Sequence, residues 1–162
     1  MMIILQLILY CGLFILLVRL GAIGGGMKEL YFYPKEFQKI AFERGLADEA
    51  ETQKNRKRFM IPFVVVMFLS LVLIVGLWNR PSDFLTAYLQ SLLFLQVMNW
   101  FDGIVIDELW VGCSSLWKIP GMEEIPYRKP WPLMCKLRTR TSVIYIALAV
   151  IPAGIALLIG RL

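Results

Sequence analysis

The apolar positions of this chain are not spaced out; they are massed into four blocks separated by charged stretches. MIILQLILYCGLFILLVRL covers about 2–20, MIPFVVVMFLSLVLIVGLW about 60–78, FLTAYLQSLLFLQVMNWFDGIVI about 84–106 and SVIYIALAVIPAGIALLIG about 142–160. Each block is close to the roughly 20 residues that cross a hydrocarbon core about 30 Å thick as a helix. Within hydrocarbon a backbone must satisfy its own hydrogen bonds, which leaves helices or closed barrels. The alternating pattern of barrel strands is missing. The pattern predicts an all-α fold: a single transmembrane domain over 1–162, an integral membrane four-helix bundle.

The polar stretches at about 27–58 and 107–141 carry their own signals. After the first block, GAIGGG (Gly21 to Gly26) ends the helix and gives a flexible exit. A phosphate-cradling loop would place Lys and Ser/Thr after the last glycine, and Met27-Lys28-Glu29 does not. Pro34 opens a short helix whose apolar face is Phe37, Ile40, Ala41 and Phe42, and Gly45 closes it. That helix is expected to lie along the membrane surface. Asp48, with Glu51 three residues on, starts a helix that runs into the second block. The first stretch therefore predicts a helical hairpin over the bundle end. In the second, Trp110, Trp117, Tyr127 and Trp131 suit an interfacial aromatic belt. Pro120, Pro126, Pro130 and Pro132 exclude a long helix and predict an irregular strap. The third helix either continues to about Trp117 or breaks near Gly112.

Composition then sets orientation. Of seventeen Lys and Arg residues, fourteen lie in these two stretches; the others are Arg19, Arg80 and Arg161. By the positive-inside tendency both stretches are cytoplasmic and both termini outside. The net charge of +5 is mostly this topology signal, with some attraction to anionic lipid headgroups. Nucleic acid is a poor partner, since the bases are membrane-proximal and interleaved with acids. Arg19 follows the first apolar block instead of preceding it, so that block is expected to stay as an uncleaved helix. Cys113 and Cys135 fall on the reducing side and Cys11 inside a span, so no disulfide is expected.

Candidate chemistry concentrates in NWFDGIVIDELW, Asn99 to Trp110. On a wheel of 100° per residue, Gln96, Asn99, Gly103 and Asp107 share a narrow face, with Asp102 at its edge. An Asp at the centre of a span costs roughly 2.5–3.5 kcal/mol on insertion scales, less near an end. Such a group needs a cation, water or a proton. Arg19, Arg56, Arg58, Arg138 and Arg140 are the ion-pair partners at matching depth. The acids then either tie helices together or line a polar cavity for an ion or small solute, built from Gln96, Asn99, Asp102 and Asp107. A third reading places Mg²⁺ on Asp102, Asp107 and Glu108 for phosphate chemistry. Without histidine there is no Ser-His-Asp or Cys-His pair and no His-ligated metal. Cys113-Ser114-Ser115 would need Lys118 or an acid to activate it, and Cys135 beside Lys136 is a juxtamembrane thiol open to lipidation. In the last block Ala147, Ala149, Ala153, Gly154, Ala156 and Gly160 favour close helix contact, and Pro152 a kink.

Two resemblances add to this. GIVIDELWVG (Gly103 to Gly112) resembles the Ile-Val-x-Asp-Glu stretch of phosphatidylglycerophosphatase A, a small membrane lipid phosphatase. Gly103 stands where that family has Glu, Trp100-Phe101 where it has Asp-Pro, and its Gly-Pro-rich N-terminal motif is absent. A longer likeness joins Asn99, Phe101, Asp102, Ile106, Asp107, Pro120 and Gly121 with the upstream YPKE…GL segment. In these the chain resembles a group of small bacterial four-span membrane proteins without an assigned activity. The likeness implies a multi-pass bacterial plasma-membrane protein (inner membrane in a Gram-negative cell) and no reaction. The expectation is a non-enzymatic homo-oligomer or accessory subunit with a polar site at the cytoplasmic end of the third helix, and no cofactor. The alternative is a Mg²⁺-dependent enzyme acting on a lipid phosphate.

Overall fold

The computed structural model describes residues 2–22, 29–114, 117–125 and 128–161, and within them the chain is all-helical with no strand. The glycines Gly24 to Gly26, together with Lys28, Ser115, Pro126 and Tyr127, lie outside the described residues. Helix α1 is Met2–Gly21, α2 Lys35–Glu43, α3 Glu49–Leu73, α4 Phe84–Phe101, α5 Trp131–Leu148 and α6 Val150–Ile159. Helices α3 and α4 run on past their α-helical parts in wider π-type turns, through Ile74–Asn79 and Asp102–Val111. Three helices are long and apolar enough to cross a membrane, at 20, 31 and 28 residues, and α5 with α6 makes a fourth candidate bent by 41°.

Local chemistry sets the helix ends. Asp48 accepts from the Glu51 amide at 2.7 Å and starts α3, which continues unbroken into the apolar block. Asp83 does the same for α4 through Thr86, at 2.9 Å. Gly45, at φ +67°, closes α2 in a Schellman turn, with Gly45 N–H on Phe42 and Leu46 N–H on Ala41. The bend between α5 and α6 falls at Ala149, three residues before Pro152. A proline lacks the N–H that the carbonyl four residues back would accept from, and its ring crowds that carbonyl, here Leu148.

The central helix is α4, against which α1, α5 and α6 pack. Tyr10, Phe14, Met67, Leu71, Phe94 and Ala153 form the main core. Gly76 lies so close to α6 that a Cβ there would meet the Ala156 carbonyl oxygen at 2.8 Å, the small-residue packing expected of the last block. Ala149, Ala153 and Ala156 are buried in these contacts, whereas Ala147 is exposed and a Cβ at Gly154 would meet nothing within 4 Å. Large apolar side chains such as Ile8, Ile61, Leu85, Val143 and Leu158 point outward on every long helix.

A second core caps one end. Phe37 and Ala41 of α2 pack with Leu30, Tyr33, Trp117, Ile119 and Met122. The Tyr33 hydroxyl donates to the Trp117 carbonyl at 2.6 Å, and Arg44 reaches both the Gly121 carbonyl and Glu124. Two expectations are corrected here. The apolar face of α2 is covered by the strap, not laid on a surface, and Trp117 is a core residue instead of a belt residue. The strap supplies enough apolar area (Ile119, Met122, Trp117) to bury that face within the chain.

Candidate functional site

Beneath the cap, the π-type segment Asp102–Val111 faces the start of α5. Its hydrogen bonds reach five residues back instead of four, so residues five apart line up. On an α-helical wheel Asp102 and Asp107 diverge by about 140°. Here both reach one guanidinium: Arg138 Nη1 lies 2.6 Å from Asp102 and Nη2 2.6 Å from Asp107. Lys129 adds a second cation to Asp107, at 3.0 Å. Close approach of α5 is possible because residue 103 is glycine; a Cβ there would meet Met134 Sδ at 2.8 Å and Arg138 Nε at 2.9 Å.

One turn deeper, Asn99 is buried and its Nδ2 donates to the Arg138 carbonyl at 2.9 Å and to Ser142 Oγ at 3.0 Å. Its Oδ1 has no donor. Gln96 Nε2 donates to the Ser142 carbonyl at 2.9 Å. The amides thus lace α4 to α5 below the charges.

These groups stand at one end of a cavity of about 640 Å³. Asn99, Asp102, Asp107, Lys129, Arg138 and Arg56 line its polar end, and Tyr10, Phe14, Met67, Leu71, Met98 and Ile151 its apolar end. It lies beside the bend at Ala149, lined there by Leu148, Ile151 and Pro152. Helix α6 packs on both α3 and α4, but α5 leans on α4 and the π-type segment and leaves a gap beside α3.

Asn99, Asp102 and Asp107 meet at the cavity; Gln96 is beside them but does not line it. Of the expected cations only Arg138 pairs with the acids. Among the described residues no ion pair involves Arg19, Arg56, Arg58 or Arg140, all of which are exposed; of these four only Arg56 lines the cavity. Lys129 and Arg128 were missed because they lie in the strap, whose path no periodicity reveals. Of the Mg²⁺ set, Glu108 points to Arg128, with Arg128 Nε 2.9 Å from its Oε2, whereas Asp102 and Asp107 share Arg138. Among the described residues no three acid, Cys or His side chains converge as metal ligands. That pairing raises the Arg128 pKa further above its ordinary value, first through the hydrogen bond to Glu108 and then through its charge. Cys11, Cys113 and Cys135 are free thiols, and none lines the cavity.

No protein-family model matches the chain, and no curated protein or solved structure does either. The fold and site therefore define a class only: an all-helical protein, three or four of whose helices are long and apolar enough to cross a membrane.

Proposed function

We propose that this chain is a multi-pass protein of a bacterial plasma membrane whose task is to bind a small polar ligand at the Asn99–Asp102–Asp107–Arg138 cluster. Four spans, the bent α5–α6 pair counting as one, carry both termini outside and place the capped end in the cytoplasm. The outward apolar side chains support burial in lipid. The Lys and Arg bias supports the orientation, and the Asn99…Asp107 likeness the bacterial origin. The chain works as a homo-oligomer or as the accessory subunit of a membrane partner.

One observation carries the binding reading. A fixed ion cluster lines one cavity together with Asn99, whose buried Oδ1 has no donor. A structural clamp alone would need no cavity and would leave no buried acceptor open, since an unmet buried polar group costs about 1–3 kcal/mol. Binding is favoured over Mg²⁺-dependent phosphate chemistry because each carboxylate of that set is already held by a cation.

The test is native mass spectrometry of the protein extracted gently from its own host's membranes. The expected spectrum shows a small ligand that stays with the wild-type chain and is lost from Asn99→Leu. The same mass reports whether the assembly is a multiple of this chain or includes another polypeptide. A bare chain whose Asp102 and Arg138 variants lose only thermal stability would reduce the cluster to a helix clamp.

A further inference from the structure

The cavity holds more information than its polar end. Val64 on α3 and Leu148 and Ile151 on the bent pair line it, yet they are 55%, 44% and 54% exposed members of the outward apolar surface. The cavity therefore opens sideways, between α3 and α5, along the face that meets hydrocarbon in the reading above. A solute from water would reach a polar end; it would have no use for an apolar trough running along Met67 and Leu71 and open to lipid.

The polar end has its own preferences. Arg56, Arg128, Lys129 and Arg138 line it against Asp102 and Asp107. Glu108 offsets Arg128, which leaves one positive charge in excess, and Arg56 has no acid partner among the described residues. Two buried atoms also lack partners: Asn99 Oδ1, an acceptor, and Trp117 Nε1–H, a donor, in side chains from residues that are 2% and 3% exposed and both line the cavity. A ligand that reached both would accept from the Trp117 indole and donate to Asn99 Oδ1.

We infer that the ligand is a membrane amphiphile with one alkyl chain and an anionic head that also carries a hydroxyl or amino donor, admitted sideways through the gap between α3 and α5. The inference rests on the binding reading and adds the chain, the charge and the route. The volume suits a head with one chain, since sites of about 300–1,000 Å³ hold ligands of that size. The head oxygens sit by Lys129, Arg56 and the Trp117 indole, the hydroxyl or amine donates to Asn99 Oδ1, and the chain lies in the trough.

The test titrates the purified full chain in maltoside micelles with three probes, read by melting temperature: myristoyl lysophosphatidylglycerol, myristoyl lysophosphatidylcholine and glycerol 3-phosphate. The lysophosphatidylglycerol is expected to bind about tenfold more tightly than the choline lipid, the scale of one charge-assisted hydrogen bond. Glycerol 3-phosphate should give no shift. Arg56→Gln, on an exposed side chain, should narrow the preference between the two lipids. Val64→Trp should block the gap and weaken the lysolipid about tenfold or more, with Leu148→Trp as the second blocking variant if the first does not fold. Glycerol 3-phosphate binding as tightly as the lysolipid would overturn the inference and leave the polar site standing. Equal responses to both lipids, unmoved by Arg56→Gln and Val64→Trp, would mark ordinary micelle exchange and overturn it too. No response to any probe overturns it alone if a native ligand copurifies, and together with the binding reading if none does.

Discussion

Gly103 and Arg138 depend on each other. With Met134 Sδ and Arg138 Nε each under 3.0 Å from where a Cβ would sit, Gly103→Ala must displace both. The expected loss is about 1–3 kcal/mol, the range for overpacking, seen as a lower melting temperature in micelles. Arg138→Gln should be worse in kind, because it leaves two neighbouring carboxylates sharing one cation fewer. Breaking a fully buried pair costs about 3–5 kcal/mol; Asp102 and Asp107 keep 28% and 19% exposure, so about 2 kcal/mol is expected. Adding Asp107→Asn to Arg138→Gln should cost less than the sum of the two, and additive losses would deny the pairing. At this scale the sequence was partly legible. Asn99, Asp102, Asp107 and Arg138 stood out because ionisable groups beside an apolar block need partners. The choice of Arg138 over Arg19, Arg56, Arg58 and Arg140 did not, because depth along a span says nothing about which helix lies adjacent. Gly103, read as one more polar-face position, gave no sign that it was making room.

Helix ends were the most readable elements, since Asp48, Asp83 and Gly45 act through their own neighbours in sequence. Asp83 was not singled out beforehand, although an Asp three residues before Thr86 is an ordinary cap. Its carboxyl is held below the usual Asp range, chiefly by the Thr86 amide and then the Thr86 hydroxyl. The cap is therefore intact above about pH 4 and is lost as pH falls through the lowered value. Asp83→Asn, which still accepts, should remove that acid limb from a plot of melting temperature against pH. The bend at Ala149 was foreseen from Pro152, but its consequence, a gap beside α3, was not, because periodicity places residues on faces and not helices in space. Pro152→Ala restores a donor for Leu148 and should draw α5 toward α3. Spin labels at Val64 and Ile144, both exposed, should then report a shorter distance than in the wild type; an unchanged distance would assign the bend to other contacts. The π-type stretch was illegible for a plain reason: a 100° wheel assumes the turn that this segment abandons.

Across the whole molecule, composition spoke loudest. Blocks of apolar residues marked where the long helices lie, three or four of them long and apolar enough to cross a membrane, although α3 begins eleven residues before its block and α5 starts at Trp131 instead of 142. The cap was only half foreseen: its hairpin was read from Pro34, Gly45 and Asp48, but its partner strap, crossed by four prolines, has no period to read. The proposed orientation makes a direct prediction. Cys113 is exposed near the capped end, so in intact cells a membrane-impermeant maleimide should leave it unlabelled. A cysteine placed at Ser82, in the opposite hairpin, should react under the same conditions. The reverse pattern would invert the topology and put the ion cluster outside.

The bend at Ala149 also has a mechanical meaning. Helix α6 is fastened to two neighbours, whereas α5 is an arm of 18 residues, about 27 Å long at 1.5 Å per residue, pivoting where the two meet. A swing of about 10° moves its far end, at Trp131, by about 5 Å on that length. Arg138 and Lys129 sit toward that far end and tie it to the π-type segment, while the Asn99 and Gln96 amides tie it to α4 nearer the pivot, so the ion cluster is its outermost fastening. Whatever loosens that fastening widens the gap most where the cap begins and least beside the pivot, which makes a wedge of the opening.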